Sequence, residues 1–400
     1  MGITTEVAVI GGGATGCGIA RDLALRNIDV VLVERKSLNA GTTGRSHCVL
    51  HSGARYAETD PQGAINCFQE NQIIRQIAPH CIDQTGGYFI QLQQDSTSYF
   101  HEKLSACKDI NIEAHAIDPD TMSFSNALSN SISSVFAVPD GVIYPAHLIA
   151  ATAVSAKQAG TRILTNAPVT DLQRDHHQIT GVEVAHQIDT ITADVVINAA
   201  GAWAPSITEM ANISLAMSPT RGVMVTMNFN ELPAVLNRCR PPDDGDIIVP
   251  KNDSIILGTT SEPVTDPDNF QTEDTEITQV MQECAEMLPI VSQLDPVNVY
   301  WGVRPLPDTD GSGRQISRDF TIIDHADRDD IGGFLTIVGG KLTTHRLMAE
   351  KISDLVANRF DMTQESSTAT TPLPFQSQPE KLSSAVSNFG TESPASFWNN

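Results

Sequence analysis

A chain of 400 residues is too long for a single hydrophobic core, and a formal net charge of −23 excludes nucleic acid or an anionic membrane surface as its general partner. Seven cysteines are scattered without a C-x-x-C pair or zinc spacing, so reduced thiols in a cytosolic protein are expected, with no metal site. No run of about 18 apolar residues occurs that could span a membrane, and no basic-then-apolar leader opens the chain.

Thr5 to Ile10 (TEVAVI) reads as a short buried strand that runs into the glycine-rich turn GGGATG. Ala14 to Asn27 has helical periodicity, with Ile19, Leu23 and Leu25 on or near one face. Asp29 to Val33 is a second buried strand ending at Glu34, and the three pieces make one βαβ unit. Residues 36 to 60, rich in Gly, Ser, Thr and Arg, read as loop rather than as a third parallel strand. Pro61 to His80 is predicted helical, opened by proline. Gly87 to Leu92 is a strand. The segments 146–159, 162–164, 169–172, 179–184 and 195–199 then alternate helix and strand as an α/β layer requires. The strand-rich stretches 213–258 and 297–303 predict a second, mainly antiparallel sheet. Phe334 to Val338 (FLTIV) is a further buried strand, leading through Gly339-Gly340 into a helix from Leu342 to Arg359. Beyond Phe360 the composition turns to Ser, Thr, Pro and Gln, expected as tail or linker. Between Lys251 and Tyr300 stand ten Asp or Glu and a single Lys, which reads as a solvated acidic face.

Gly11-x-Gly13-x-x-Gly16 lies between strand and helix, and Glu34 ends the next strand. The first glycine permits a tight turn, the second lets a pyrophosphate approach the backbone, and the third lets helix and strand pack closely. The helix N-terminus offers unpaired N–H groups to phosphate, and Glu34 is placed for a ribose diol. Two features favour FAD over NAD. No further βα repeats follow the first unit, and the late strand–Gly–Gly–helix offers a second helix start to the electron-rich edge of a reduced flavin. Thr42-Thr43-Gly44-Arg45-Ser46 suits a loop wrapped round a flavin, and His51 and Arg55 stand four apart just beyond it. Arg304, Arg318 and Lys341, with Arg55, are cations in apolar or glycine-rich surroundings, where a bare charge needs an anionic partner. Ion pairing with one of the 48 carboxylates is the competing explanation for each.

The stretches GGGATGxGIARDLALR, TGRSHxxLHSGARY, INAAGAW, GVRPL, ISRDFTIIDH and GGKLTTHRLMAE stand in the order found in FAD-dependent glycerol-3-phosphate dehydrogenases. The chain resembles that family over residues 5 to 360, most closely the catalytic A subunit of the anaerobic form. The resemblance implies an α/β fold (α+β overall): a glutathione-reductase-type, Rossmann-like FAD domain with an inserted, mainly antiparallel substrate domain. Its expected segments are 1–93, 144–211 and 331–361 for FAD, 94–143 and 212–330 for substrate, and 362–400 for the tail. The implied reaction takes sn-glycerol 3-phosphate to dihydroxyacetone phosphate, with electrons passing to a quinone through partner subunits. The expected location is the cytoplasm, with peripheral attachment to the inner face of the cell membrane through those partners. The cysteine-rich [2Fe–2S] domain that usually continues the family's catalytic chain is not matched, since every cysteine lies at Cys284 or earlier. His345 stands where the family commonly has tyrosine.

His51 is the expected base, and Arg304 would stabilise the alkoxide. Arg55, Arg318 and Lys341 would hold the phosphate, with Tyr56 as a hydrogen-bond donor. The expected FAD contacts are Gly11, Gly13, Ala14, Thr15, Gly16, Glu34, Arg35, Thr42, Thr43, Gly44, Arg45, Ser46, Ala200, Gly201, Gly340, Lys341, Leu342 and Thr343. The alternatives are a glycerol-3-phosphate oxidase that uses oxygen, or a non-catalytic FAD-binding redox or assembly subunit.

Overall fold

Ile3–Ile10, Val30–Val33 and Thr190–Asn198 lie side by side as parallel strands, with Val7 registered on both Val30 and Val195. Parallel strands are covered on both faces, so apolar residues run consecutively instead of alternating, and all four residues of Val30–Val33 are buried. The computed structural model describes residues 2–185, 190–308 and 320–391. Among these, the first sheet has eight strands. The spatial order is Val169–Asp175, Gln178–Val184, Thr190–Asn198, Ile3–Ile10, Val30–Val33, Arg162–Leu164. One edge of Thr190–Asn198 is shared: its first half pairs with Gln178–Val184, and its second half with Phe334–Gly339. Helices Ala14–Leu25, Pro145–Gln158 and His345–Arg359 cover one face, burying Ile19, Leu23, Ile149 and Ile352 against Val7, Val9 and Leu32. Each such side chain contributes roughly 1.5–3 kcal/mol by leaving water.

The second sheet is nine-stranded, and near one end of it Thr220–Asn228 pairs antiparallel with Ser254–Gly258 and Asn298–Arg304. Val235–Arg238 and Gly87–Leu92 form its one parallel pair among the described strands. Helix Asp274–Ala285 closes one face through Val280 and Cys284. Helix Pro61–Ile77 starts on Pro61, with the Asp60 carboxylate accepting the Gly63 N–H at 2.9 Å.

Three segments lie elsewhere than the family resemblance and the composition lead one to expect. Gly87–Leu92, expected within the FAD-binding segments, belongs to the second sheet, because its partners are Ile132–Val138 and Val235–Arg238. Phe320–Asp324, expected in the substrate domain, extends the first sheet antiparallel to Phe334–Gly339. Residues 362–391 are not a free tail. Leu373, Leu382, Ala385 and Val386 are buried, and buried Arg21 donates to the Thr371 carbonyl at 2.7 Å. The segment is held through its main-chain carbonyls, through the polar side chains of Gln364, Ser366, Thr368, Gln376 and Thr391, and through a few apolar side chains, contacts that leave no periodicity in sequence. The last long helix begins at His345 rather than Leu342, since residues 341–344 form a turn closed by Thr344.

Candidate active site

The turn after Ile3–Ile10 is shaped by what its glycines lack. Gly11 has φ +112°, and a Cβ there would lie 2.6 Å from the Ala199 carbonyl oxygen. A Cβ on Gly16 would lie 1.8 Å from the Gly11 oxygen, so no larger residue lets the helix approach the strand. Glu34 is immobilised by two main-chain donors, Gly12 N–H at 2.7 Å and Lys36 N–H at 2.8 Å. The first N–H of the helix, on Ala14, donates to Thr43 Oγ1 at 3.1 Å, which ties the Thr42–Arg45 turn over the helix start.

A cavity of about 640 Å³ opens at the C-terminal ends of these strands, the place where open α/β sheets take their ligands. It is lined by Gly11, Gly13, Ala14, Thr15, Glu34, Arg35, Thr42, Thr43, Arg45, Ser46, Ala200, Gly201, Gly340, Lys341 and Leu342, all expected from sequence. Gly16, Gly44 and Thr343 lie behind that lining. Thr343 Oγ1 instead accepts the His51 N–H at 3.2 Å. The second sheet forms a wall: Thr42 Oγ1 donates to the Val303 carbonyl at 2.6 Å, and Tyr300 Oη to the Ser46 carbonyl at 3.0 Å. An acid fixed at one end, a helix start in the middle and Lys341 at the other end fit an extended flavin dinucleotide.

Sequence reasoning missed the closure of the Glu34 end. Arg35 lies over the Trp203 ring at 4.5 Å and makes a two-pronged pair with Asp268, both contacts 2.8 Å. Trp203 Nε1 donates to the same carboxylate at 2.8 Å. Hydrogen bonding from Arg35 holds Asp268 below the usual carboxylate range.

Beyond Lys341 the cluster continues. Lys341 Nζ lies 4.4 Å from the centre of the Tyr56 ring. The His51 ring meets Tyr56 edge-on at 5.7 Å and His47 edge-on at 5.4 Å. The structure therefore brings His51, Tyr56 and Lys341 together and adds His47, which sequence reasoning passed over although it stands four residues before His51.

The arginines are placed differently. Arg55 Nη2 pairs with the buried Asp246 at 3.1 Å, and Arg240 holds the other oxygen of that carboxylate at 2.9 Å. Ion pairing is thus part of the environment of Arg55. Arg304 Nη2 donates to Thr259 Oγ1 at 3.1 Å and to the Thr260 carbonyl at 3.0 Å. A Cβ on Gly258, the residue before Thr259, would lie 3.9 Å from His47 Cβ, so the Arg304 nest adjoins the histidine pair. Arg318 lies outside the described residues. His345 lines the cavity, and burial pushes its pKa down to about 4.

The model of the FAD dependent oxidoreductase family matches residues 6–354. The A1 subunit of anaerobic glycerol-3-phosphate dehydrogenase from Haloferax volcanii is 43% identical over 407 residues, covering 97% of this chain and 70% of that one. The A subunit of the Escherichia coli (strain K12) anaerobic enzyme is 40% identical over 388 residues, covering 95% of this chain and 72% of its own. Among solved structures, glycerol-3-phosphate dehydrogenase from Bacillus halodurans complexed with FAD superposes with a TM-score of 0.71 at 22% identity, covering 92% of this chain and 68% of that one. Glycine oxidase from Geobacillus kaustophilus superposes with a TM-score of 0.74 at 19% identity, covering 93% and 98%. At such identities the superpositions show the fold alone.

Proposed function

Since the chain belongs to the FAD-dependent oxidoreductase family, and within it to the A subunits of anaerobic glycerol-3-phosphate dehydrogenase, we propose that it oxidises sn-glycerol 3-phosphate to dihydroxyacetone phosphate. The observation that carries this reading is the gathering of Lys341, Tyr56 and His51 beyond the far end of the dinucleotide cavity. Gly11, Gly13, the N–H groups that open helix Ala14–Leu25, and Glu34 would hold FAD, with Lys341 and Leu342 at the other end. Bound FAD supplies the acceptor for the C2 hydride.

The chain's own residues do the rest. His51, an imidazole whose ordinary pKa lies near neutrality, takes the C2 hydroxyl proton as the hydride leaves. Arg304 steadies the developing negative charge on that oxygen through guanidinium N–H groups oriented by Thr259 and Thr260. Lys341 and Arg318 hold the phosphate dianion, and Tyr56 donates to it. Arg55, anchored by Asp246 through one guanidinium nitrogen, is the third cation of the set. The strongly acidic chain repels a dianion at long range, so recognition falls to these local charges. Electrons pass onward to a quinone through partner subunits. No described helix is long and apolar enough to cross a membrane, and the partners would bring the chain to the inner face of the cell membrane.

Anaerobic addition of glycerol 3-phosphate to the yellow holoprotein should bleach the flavin absorption band, while glycerol at the same concentration leaves it. A flavin that stays oxidised would overturn the reading.

A further inference from the structure

His51 sits just past the two-residue strand Val49–Leu50, and three side chains from elsewhere in the chain hold the main chain of His51 and Ser52. Its N–H donates to Thr343 Oγ1 at 3.2 Å, and its carbonyl accepts from Asn71 Nδ2 at 3.2 Å. The next N–H, on Ser52, donates to Asp140 Oδ1 at 2.7 Å. Gly53 follows with φ +91°, and a Cβ there would lie 2.2 Å from the Ala64 carbonyl oxygen. The loop can therefore turn only one way, and Asp140 grips it at the turn.

Asp140 is 2% exposed, and both of its oxygens face donors. Oδ1 takes the Ser52 N–H, and Oδ2 takes Asn237 Nδ2–H at 3.1 Å. Its main-chain carbonyl accepts from Arg75 Nη2 at 2.8 Å, and Arg75 Nε donates to Asn71 Oδ1 at 2.7 Å. Asp140, Arg75 and Asn71 thus form one connected clasp around residues 50–52. A Cβ on Gly87 would lie 2.8 Å from Asp140 Cβ, so the carboxylate is packed on its far side as well. A carboxylate accepts from both donors as they stand, with no neighbour having to turn. An amide at this position either turns one N–H against Asn237 Nδ2, leaving a buried unsatisfied group, or makes Asn237 rotate its oxygen inward, and either change disturbs the clasp.

We propose that Asp140 is the positioning residue of the substrate loop: through Ser52 N–H and the Asn71–Arg75 clasp it fixes where His51 and Tyr56 stand. The proposal rests on the reading of His51 and Tyr56 as substrate-site residues. It goes further in assigning a role to a buried acid that touches neither substrate nor cofactor.

The test uses the FAD-loaded enzyme and three variants. D140N keeps the shape and loses the second acceptor. D140N/N237D moves the carboxylate to the other side of the same contact, so that the amide now at position 140 donates to it and the carbonyl of that amide accepts from Ser52. N237A loosens one anchor only and serves if D140N folds poorly. Two readouts are taken: the limiting rate of anaerobic flavin reduction by glycerol 3-phosphate, and hydrogen exchange of the peptide spanning residues 49–56.

D140N should retain its flavin and its half-saturating substrate concentration within about twofold, yet reduce about tenfold to a hundredfold more slowly, as misplacement of a reacting group does. Exchange in the 49–56 peptide should rise in D140N and in N237A. The reciprocal variant should recover reduction to within about threefold of the parent and restore protection, which a loss of general stability does not explain. Parental reduction and parental exchange in D140N and N237A, or a reciprocal variant no better than D140N, would overturn the proposal. A parent enzyme that glycerol 3-phosphate does not bleach would instead sink the functional reading, and the exchange readout would still decide the role of Asp140.

Discussion

Lys341 stands where cofactor cavity and substrate cluster meet, its ammonium 4.4 Å from the Tyr56 ring centre. Replacing it with methionine keeps the apolar stem and removes the charge. A charge-assisted hydrogen bond to the phosphate is worth about 1.5–3 kcal/mol, so K341M should lower kcat/KM for glycerol 3-phosphate by about tenfold to a hundredfold. Slow turnover of glycerol, which has no phosphate, should change little; equal losses for both substrates would remove Lys341 from the phosphate. Gly11, Gly16 and Glu34 were legible in the sequence because one tight turn dictates all three at fixed spacing. Asp268 and Asp140 were not, because the groups they hold lie 233 and 88 residues away in the chain. Nothing local distinguishes them from the other acids of so acidic a protein.

The loop before helix Asp274–Ala285 reaches back from the second sheet to the Glu34 end of the cavity, where Asp266, Pro267, Asp268 and Phe270 join the lining. Its hold is the Asp268 carboxylate on Arg35 and Trp203. Both charged partners are more than a third exposed, so water screens the pair and its contribution is about 1 kcal/mol or less. D268N should therefore release FAD only about twofold to fivefold faster, and the difference should shrink in high salt. Recovery of flavin fluorescence after dilution measures this, and an unchanged release rate would separate the loop from cofactor retention. The helix Pro61–Ile77 was readable because proline marks its start. The allegiance of Gly87–Leu92 and of Phe320–Asp324 was not, since a strand's sequence shows that it pairs but not with which sheet.

Among the described residues, burial leaves His80, His147, His325 and His345 reluctant to accept a proton. His147 and His345 are both pushed down to about 4, chiefly by burial. As pH falls below about 6.5, the unfolded chain binds protons at these positions that the native state refuses. Stability is therefore lost between about pH 6.5 and 4, by roughly 3 kcal/mol for each residue at the lower limit. Asp140, Asp246 and Glu70, raised by burial, work in the opposite sense: the native state binds the extra proton, so their contribution is lost as pH rises through the folded value. The H147Q variant isolates one histidine from that background. Its melting temperature should fall less steeply than the parent's between pH 6.5 and 4, and parallel curves would contradict a half-buried, neutral His147. The shared edge of Thr190–Asn198 bears on synthesis rather than on stability. A ribosome releases Ile3–Ile10 well before its neighbour Thr190–Asn198, and Phe334–Gly339 later still. At about 5–20 residues per second, the glycine turn waits roughly 20–70 s for the strands and the Lys341 turn that complete its cavity. FAD is therefore acquired only once Phe334–Gly339 and the Lys341 turn have been made, and until then the apolar edge of Ile3–Ile10 is a segment for chaperones to shield.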